Sequence, residues 1–312
     1  MAQASRTGEE LMLSSVTVRA VIPKVCEEPL DSWLQKNPLG PYSVERKIDG
    51  ERMQAEVVSN VVSYANRHSF IASNSDLPKL SHAILQAVNG RDCWLDGELS
   101  TGVRTDFYGK DGYLANRANR DDMTYIVFDV LMLDGEDLRL KPYMERRRIL
   151  TELVKANSKV ELVQAWQAQG QTEIVHLYEQ AVKEGQEGVV IKPLLSIYMN
   201  NAWLKMKDHK ETEVVILGVS KDKEAFLIGH YQSSPCGFIQ YGRTSAHDWQ
   251  QVKETALKAV ISEDNEYWYV EPFIVVELRH NGLIESEQGK TYRHPRITRL
   301  RLDKSAFDCE AN

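Results

Sequence analysis

Hydrophobic and polar residues alternate with a period of two in several short stretches of the first two thirds of the chain. β-Branched and apolar residues predict strands at 55–58 and 61–64, which meet at a turn near Ser59-Asn60. Residues 94–95 and 125–132 have a similar strand-like composition. The pattern therefore predicts several strands here.

Helical spacing follows these stretches. Apolar residues three and four positions apart predict helices over 144–156 and 174–184, and Gly185 ends the second. Residues 1 to about 36 are polar and punctuated by prolines, which predicts irregular structure with one short strand or helix. Together these elements predict a mixed α+β fold.

The last third of the chain has its own pattern. A charged run at 208–213 lacks apolar periodicity and predicts a hinge. The elements expected beyond it are strands at 214–217, 226–231 and 237–241, a helix at 249–261 capped by Ser245 and Asp248, and strands within 267–278. Short strands with one helix suit a small Greek-key barrel of the OB type. The predicted domains are 1–210 and 211–312.

Composition sets outer limits on function. The net charge of -7 argues against holding polyanions by bulk charge, so a nucleic-acid contact would need a locally basic surface. The four cysteines form no CxxC pair, which disfavours a zinc site or a disulfide framework and suggests a reducing compartment. No stretch approaches the roughly 20 apolar residues of a membrane helix. We expect a soluble intracellular protein with no membrane contact, nuclear if eukaryotic and otherwise cytoplasmic.

Candidate chemistry lies in short motifs whose order matters more than any one of them. The first is Lys47-Ile48-Asp49-Gly50-Glu51-Arg52. The others are Asp96-Gly97-Glu98-Leu99, Tyr125-Ile126-Val127-Phe128-Asp129, Glu187-Gly188-Val189-Val190-Ile191-Lys192, Trp203-Leu204-Lys205-Met206-Lys207 and Arg293-His294-Pro295-Arg296. Each alone is weak evidence, but the ordered set predicts a covalent nucleotidyl transferase.

Lys47 is the candidate nucleophile, on a turn whose glycine lets the backbone approach a ligand. The plain alternative for this segment is a surface turn. A lysine must lose its proton before it attacks, and nearby positive charge favours that loss. Arg52, Lys205 and Lys207 could supply such charge.

Two carboxylates and one aromatic ring complete the candidate site. Glu98 and Glu187 are suited to holding Mg²⁺ or a ribose hydroxyl. The alternative for either one alone is an acidic residue that faces solvent in a turn. Phe128 would by default belong to the core, but an aromatic face also stacks on adenine. The order of the motifs favours stacking.

The motifs resemble those of the ATP-dependent DNA ligases, within the ligase and mRNA-capping superfamily. The resemblance extends from about residue 16 to 309. It is nearest to the catalytic core of the eukaryotic end-joining enzyme, DNA ligase IV, through residues 47–54, 127–132, 195–198 and 293–297. It implies a nucleotidyltransferase (ATP-grasp-like adenylation) domain joined to an OB domain, without a large N-terminal DNA-binding domain or C-terminal interaction repeats.

The resemblance also implies roles for the residues that match by position. Lys47 would be the adenylated nucleophile, Glu45 an adenine contact and Arg52 a contact to the ribose or the nick phosphate. Glu98 would bind ribose or metal, and Phe128 would stack on adenine.

The remaining implied roles concern metal and phosphate. Glu187 would help to bind metal, and Lys205 and Lys207 would hold the α-phosphate. The basic residues implied to reach the β- and γ-phosphates are Arg293, Arg296 and Lys304. The alternative for this tail is a basic strand end that faces solvent.

Two departures from the family pattern stand out. Arg67 is out of register with the arginine that family members carry in the strand after the nucleophile, so it is a DNA-binding candidate only. The loop 197–202 before Trp203 is shortened and lacks an arginine. We expect these changes to affect nick recognition or ligation rate, and not the reaction with ATP.

The implied activity is the sealing of nicks in duplex DNA through a lysyl-AMP and a DNA-adenylate, with ATP and Mg²⁺. We expect a monomer whose partner is nicked DNA, with a protein partner as one source of DNA affinity. The alternatives are an RNA ligase, an mRNA-capping guanylyltransferase and a catalytically silent nucleic-acid-binding scaffold. The sequence leaves replication, repair and end joining open as biological roles.

Overall fold

The computed structural model describes residues 28–66, 71–101, 119–198, 202–231, 235–240, 246–286 and 289–309. These residues divide into two compact units, one that ends at Lys207 and a second that begins at Asp208. Both units combine helices and strands, so the predicted mixed fold is confirmed.

The first unit contains two antiparallel-rich sheets. Its elements are α1 Leu30–Lys36, β1 Tyr42–Arg46, β2 Glu51–Val58, β3 Val61–Ala65, β4 Ile71–Ser73, α2 Pro78–Ala87, β5 Cys93–Ser100, a 3₁₀ turn at Arg120–Asp122, β6 Thr124–Leu133, β7 Glu136–Asp137, α3 Tyr143–Leu153, β8 Val160–Leu162, β9 Ala165–Ala168, α4 Gln171–Lys183, β10 Gly188–Pro193 and β11 Leu204–Lys207. The small sheet has the order β11-β10-β1-β9. The large sheet has the order β4-β3-β2-β5-β6-β7, and β8 pairs in parallel with β6.

The hairpin β2–β3 shows how the sequence pattern becomes structure. Val58 pairs with Val61, and the two turn residues Ser59 and Asn60 have φ of 49° and 63°. Two-residue hairpin loops of this kind need positive φ at both positions, which suits asparagine. The prediction of two strands that meet at this turn is confirmed.

The helices match the sequence pattern less closely at their ends. Helix α3 begins at Tyr143 and ends three residues before the predicted end, because Val154 turns to extended backbone and enters the core. Helix α4 begins at Gln171 and ends before Gly185, which has a φ of +80°. Helix α1 is the short element predicted near the start, whereas α2 was not predicted.

The first unit buries its apolar residues around the two sheets. One cluster joins the small sheet to α1 and α4 through Trp33, Val44, Ile174 and Ile191. A separate cluster contains Leu131, Tyr198 and Trp203, with Phe128 packed against it. The motif residues therefore lie beside an aromatic core.

The second unit is built on one branched sheet. Its elements are β12 Lys210–Ser220, β13 Ala225–Gly229, β14 Pro235–Gln240, α5 Ala246–Leu257, β15 Val260–Glu263, β16 Tyr267–Val270, β17 Val275–His280, β18 Leu283–Ser286, β19 Gly289–Tyr292, β20 Arg296–Leu300 and a 3₁₀ turn at Ala306–Asp308. The order is β14-β13-β12-β16-β15, and β17 pairs with both β12 and β20. Within the described residues these strands do not close into a barrel. Trp249 of α5 packs on Phe226 in the core of this unit.

Two elements of the second unit differ from the sequence pattern. The boundary between the two units falls at the start of the charged run 208–213, and the role of this run as a hinge stays a prediction. Most of the run is strand, because β12 begins at Lys210 and pairs with β17 from that residue onward. The exposed start of β12 carries charged side chains, so it has no apolar period to reveal it. The predicted helix at 249–261 ends at Leu257, and the β-branched residues Val260 and Ile261 lie in the edge strand β15. The proposed cap residue Ser245 lies outside the described residues.

Across the part of the chain that the structure describes, no helix has the length and hydrophobicity needed to span a membrane.

Candidate active site

Lys47 lies in the loop that carries the chain from the small sheet to the large sheet. Its backbone N–H donates to the carbonyl oxygen of Gly188 at 2.9 Å, which holds the loop against β10. Gly50 lies so close to the neighbouring strand that an added Cβ would be 2.1 Å from the carbonyl oxygen of Leu99. The loop therefore runs tightly between both sheets, and only glycine fits at position 50.

The side chain of Lys47 forms an ion pair with Glu187, which is 4% exposed. Glu187 directly precedes β10, whose first residue Gly188 has a φ of +139°. A Cβ at Gly188 would lie 2.0 Å from the carbonyl oxygen of Met206. The sequence predicted positive charge around Lys47, but the contact found is with a carboxylate.

Glu98 lies opposite Arg52 on neighbouring strands of the large sheet. Burial raises the pKa of Glu98 to about 8, and the nearby carboxylates of Glu187 and Asp96 act in the same direction, whereas Lys47 and Arg52 oppose them. The side chain of Glu98 adjoins the Lys47 loop, since an added Cβ at Gly50 would lie 2.9 Å from Glu98 Cγ. The structure therefore brings the candidate nucleophile and both candidate metal ligands together.

A polar cavity of about 220 Å³ opens beside Lys47. Its lining residues are Arg46, Lys47, Ile48, Asp49, Ser100, Ile126, Glu161, Leu162, Gln164, Gln186 and Glu187. Sequence reasoning identified Lys47 and Glu187 as site residues and missed Glu161, Gln164 and Gln186. No motif marks these three polar residues, since they lie at strand ends and turns that only the fold brings to the cavity.

Arg52 is anchored inside the site. Its Nε and Nη2 atoms donate to the two carboxylate oxygens of Asp96 at 3.1 and 2.5 Å, and Tyr198 donates its hydroxyl to the same carboxylate at 2.6 Å. Burial alone would lower the pKa of Arg52, but the charge of Asp96 outweighs it and raises that pKa. The guanidinium carbon lies 5.3 Å from the centre of the Phe128 ring.

Phe128 is half-buried beside Trp203. Their ring centres are 6.2 Å apart in an edge-to-face arrangement, and Trp203 makes a similar contact with Tyr198 at 5.7 Å. Such edge contacts fix the orientation of the rings. Phe128 therefore has a defined pose, with part of its surface free of the core.

Glu45 lies deeper, where two donors approach its carboxylate. Lys192 Nζ is 2.7 Å from one carboxylate oxygen, and the Tyr143 hydroxyl donates to the other. All three side chains are buried. Sequence reasoning gave Lys192 no role, although it ends one of the motifs, and missed Tyr143. The available signal was a lysine beside an apolar run, since a charge in that position must find a buried partner.

Lys205 and Lys207 lie on β11, directly beside the Glu187 strand. Lys207 pairs with Gly188 and Lys205 with Val190 in the antiparallel register. Both side chains are half-buried. The motif lysines are thus adjacent to the start of β10.

The basic tail residues belong to the second unit. Arg293 is buried and its backbone N–H donates to the carbonyl oxygen of Gly282 at 2.9 Å. Arg296 is exposed on β20, and Lys304 Nζ lies 3.3 Å from a carboxylate oxygen of Glu213. Arg67 and part of the shortened loop, residues 199–201, lie outside the described residues.

No group of three or more His, Cys, Asp or Glu side chains among the described residues is arranged to hold a metal ion by itself. Glu98 and Glu187 supply two carboxylates. Mg²⁺ commonly binds through one or two carboxylates together with substrate phosphates and water. The donor set therefore fits a metal that arrives with a phosphorylated substrate.

Comparison with known proteins agrees with this arrangement. The family model of the ATP dependent DNA ligase domain matches residues 23–207. A DNA ligase of Thermococcus fumicolans is 26% identical over 323 residues, which cover 94% of this chain and 57% of that protein. The SPbeta prophage-derived DNA ligase-like protein LigB of Bacillus subtilis is 29% identical over 260 residues, covering 80% of this chain and 89% of that protein.

The chain is shorter than several of these relatives. It spans 57% of the Thermococcus fumicolans ligase and 61% of DNA ligase 1 of Korarchaeum cryptofilum. These relatives are bacterial and archaeal, and the likeness to DNA ligase IV stays a prediction.

Solved structures show a shared fold. A mycobacterial DNA ligase D, complexed with ATP and MES, has a TM-score of 0.51 at 22% identity and covers 95% of this chain and 99% of that one. A Lig E DNA ligase has a TM-score of 0.57 at 15% identity, covering 84% and 93%. Because the family model matches more than half of the residues, the chain belongs to the family of ATP-dependent DNA ligase domains.

Proposed function

We propose that this protein is an ATP-dependent DNA ligase, which seals nicks with a 5′-phosphate and a 3′-hydroxyl in duplex DNA. The observation that carries the proposal is the position of Lys47 in a chain of this family. Its loop crosses between two sheets, its side chain contacts Glu187, and Glu98 adjoins Gly50 of the same loop.

The reaction proceeds in three displacements at phosphorus. Lys47 Nζ, after losing its proton, forms a bond to the α-phosphorus of ATP, and the bond to the departing pyrophosphate breaks. The 5′-phosphate oxygen at the nick then takes the adenylate from Lys47. Finally the 3′-hydroxyl loses its proton and its oxygen attacks the phosphorus of the DNA 5′-phosphate, and the bond from that phosphorus to AMP breaks. Such steps need in-line positioning and cations around the transferred phosphorus.

The residues around Lys47 divide between the base, the sugar and the phosphate. Phe128 stacks on adenine, Glu45 contacts its edge, and Arg52 contacts the ribose or the nick phosphate. Lys205 and Lys207 hold the α-phosphate, since β11 places them beside Glu187. The tail residues assigned to the β- and γ-phosphates are Arg293, Arg296 and Lys304, and Arg67 stays a candidate for DNA.

Glu98 and Glu187 would hold Mg²⁺ together with the phosphates of ATP. A bound Mg²⁺ withdraws charge from the phosphate oxygens and so favours attack at phosphorus. Glu187 forms an ion pair with Lys47, so it must release Lys47 in order to bind the metal.

The two compact units support a division of labour. We assign residues 1–210 to nucleotide transfer and 211–312 to an OB-fold domain, of which the strands β12, β13, β16, β17 and β20 form the sheet. We expect a monomer that acts on nicked duplex DNA, with a protein partner as a further source of DNA affinity. At a net charge of -7, contacts to DNA must come from local basic residues.

The test is label transfer. The protein is incubated with Mg²⁺ and α-labelled ATP, α-labelled GTP or labelled NAD⁺, and a nicked duplex is then added. We expect label from ATP alone, first on the protein and then released as the strand is sealed. Replacing Lys47 by Ala should abolish protein labelling, whereas the matched change Lys155→Ala, at an exposed lysine of the same unit, should leave it intact.

Other outcomes identify the alternatives. Label from GTP would indicate a capping-type enzyme. In a parallel reaction with nicked RNA, label from ATP that passes to the RNA and not to the DNA would indicate an RNA ligase. Labelling that persists in Lys47→Ala would remove Lys47 as the nucleophile.

A further inference from the structure

Three side chains from three elements form a buried triad behind Phe128. Glu45 lies on β1, Lys192 on the neighbouring strand β10, and Tyr143 at the first turn of α3. Their exposed fractions are 2%, 1% and 0%. We call Glu45, Lys192 and Tyr143 the buried triad.

Each oxygen of the Glu45 carboxylate has its own donor within the triad. Lys192 Nζ lies 2.7 Å from Oε2, and the Tyr143 hydroxyl donates to Oε1. The Lys192 ammonium can only donate, and the Tyr143 hydroxyl donates here, so both carboxylate oxygens act as acceptors. A carboxylate has about four lone-pair sites, so with two of them in use it keeps acceptor capacity for a donor from the base.

Burying the triad costs desolvation free energy. An ion pair removed from water recovers its desolvation cost only with good geometry and further hydrogen bonds, and apolar side chains of similar volume often stabilise a fold equally well. Burial accordingly lowers the pKa of Lys192, against the pull of Glu45 and Asp129. A charged triad in this position therefore calls for an explanation other than stability.

The triad contacts the aromatic rings of the site through Lys192. Lys192 Nζ lies 4.9 Å from the centre of the Phe128 ring and 3.9 Å from that of Trp203, and it donates to the carbonyl oxygen of Phe128 at 3.5 Å. The ammonium group therefore links the Glu45 carboxylate to the ring assigned to base stacking. A change at Lys192 would move both groups.

We propose that Lys192 and Tyr143 are positioning residues that set the nucleobase selectivity of the first step, by presenting Glu45 to the base as a fixed group that only accepts hydrogen bonds. The proposal rests on the proposed function, in which Glu45 contacts the base of ATP. Adenine carries an exocyclic amino group, which donates. Guanine carries a carbonyl oxygen at the same ring position, and this acceptor would face the acceptor oxygens of Glu45.

Loss of the lysine predicts a specific change. A buried carboxyl group without an ionic partner tends to become neutral by binding a proton. A protonated Glu45 would carry an O–H donor and could serve a guanine carbonyl. Lys192→Met should therefore weaken the preference for adenine, and Tyr143→Phe should weaken it less, because it removes one neutral donor and keeps the ion pair.

The test compares α-labelled ATP and GTP in the first step alone. Initial rates of protein labelling at a series of nucleotide concentrations give kcat/KM for each nucleotide. Relative to the native protein, the ATP-to-GTP ratio of kcat/KM should fall at least about tenfold in Lys192→Met, and most of the change should lie in KM. Glu45→Gln, which adds a donor at the same place, should shift the ratio in the same direction.

A matched variant separates positioning from damage to the fold. Leu150 is fully buried on the same helix as Tyr143, and none of its atoms is polar beyond the backbone. Leu150→Ala should lower stability and leave the ATP-to-GTP ratio unchanged. Tyr143→Phe removes a single oxygen, so it provides a folded variant should Lys192→Met fail to fold.

The outcomes are distinguishable. An ATP-to-GTP ratio that stays within about twofold of the native value in Tyr143→Phe and in every folded Lys192 variant, as in Leu150→Ala, would overturn the inference and leave the ligase assignment in place. A native protein that takes label from neither nucleotide would overturn the proposed function, and the inference with it.

Discussion

Buried ion pairs hold the strands that carry two of the motifs, β2 and β6, to neighbouring elements. Arg120 donates twice to Glu51, and Arg146 donates twice to Asp129 with both side chains fully buried. Such pairs add little net stability when intact, but removing one partner leaves an uncompensated charge in the interior. The strands that carry the motifs therefore depend on complete pairs.

The Asp129–Arg146 pair gives the first prediction. Asp129→Ala leaves the Arg146 guanidinium without its partner and should lower the free energy of unfolding by about 3 to 5 kcal/mol. Urea unfolding followed by circular dichroism measures this loss. The exposed pair Arg148–Glu152 is the control, since Glu152→Ala should cost less than about 1 kcal/mol. A loss at Asp129 as small as that at Glu152 would contradict the prediction.

Glu98 gives a prediction for pH. Its folded-state pKa of about 8 lies above the ordinary value of 4.5, so between these pH values the folded protein holds a proton that the unfolded chain has released. The resulting stability is complete below pH 4.5 and is lost as the pH rises through 8. Without Mg²⁺, the native protein should lose about 3 kcal/mol between pH 5.5 and 8 relative to Glu98→Gln. Parallel pH profiles of the two proteins would show that Glu98 titrates normally.

The partners of buried charged residues could not be predicted from the sequence. Lys47, Glu98 and Glu187 could be selected because they stand in ordered motifs. Arg146 could not, since a hydrophobicity pattern assigns an isolated charge to the surface and the compensating partner is distant in sequence. Lys192 ends one of the ordered motifs, but its role could not be assigned for the same reason. Only the fold brings Asp129 to Arg146 and Glu45 to Lys192.

At the scale of elements, the start of β10 connects the loop that carries Lys47 to β11, which carries Lys205 and Lys207. Gly188 accepts a hydrogen bond from the Lys47 backbone and pairs with Lys207. Its φ of +139° and its contact with Met206 exclude a side chain. Gly188 thus sets the spacing between the Lys47 loop, β10 and β11.

Gly188→Ala tests this arrangement. The added Cβ would meet the Met206 carbonyl oxygen at 2.0 Å, so β10 and β11 must separate, and we expect a loss of about 3 kcal/mol or more in the free energy of unfolding. Protein labelling from ATP should fall as Glu187 moves from Lys47. Gly170→Ala is the control, because no atom lies within 4 Å of its added Cβ and the backbone is extended there. Equal unfolding free energies for the two variants would contradict the role of Gly188.

Element boundaries followed the sequence where side-chain pattern and turn chemistry agreed. The β2–β3 hairpin is such a case, with alternating residues and a Ser59-Asn60 turn. Val260 and Ile261 are the opposite case, since they extend the helical spacing of α5 but belong to an exposed edge strand. Tertiary pairing with β16 decides their state, and no local signal encodes that pairing.

At the scale of the whole molecule, the residues assigned to ATP are shared between two units that each have their own core. Lys47, Glu98 and Glu187 lie in the first unit, and Arg296 lies on β20 of the second. A cation that contacts only the departing pyrophosphate stabilises the first displacement. It has no such contact in the last displacement, which releases AMP. The proposed roles therefore make the second unit's contribution specific to one step.

Arg296→Ala separates the steps. Loss of this charge should slow protein labelling from ATP by about tenfold or more, because the leaving phosphates lose a cation. Sealing of a nicked duplex that already carries the 5′-adenylate should proceed at the native rate, since that step releases AMP and no pyrophosphate. Arg299→Ala is the matched control on the same strand. The exposed guanidinium of Arg299 forms an ion pair with Glu277 at 2.8 Å, and its loss should leave both steps unaffected. Equal losses in both assays would show that Arg296 supports the fold of β20, and undiminished labelling would remove it from the site that binds ATP.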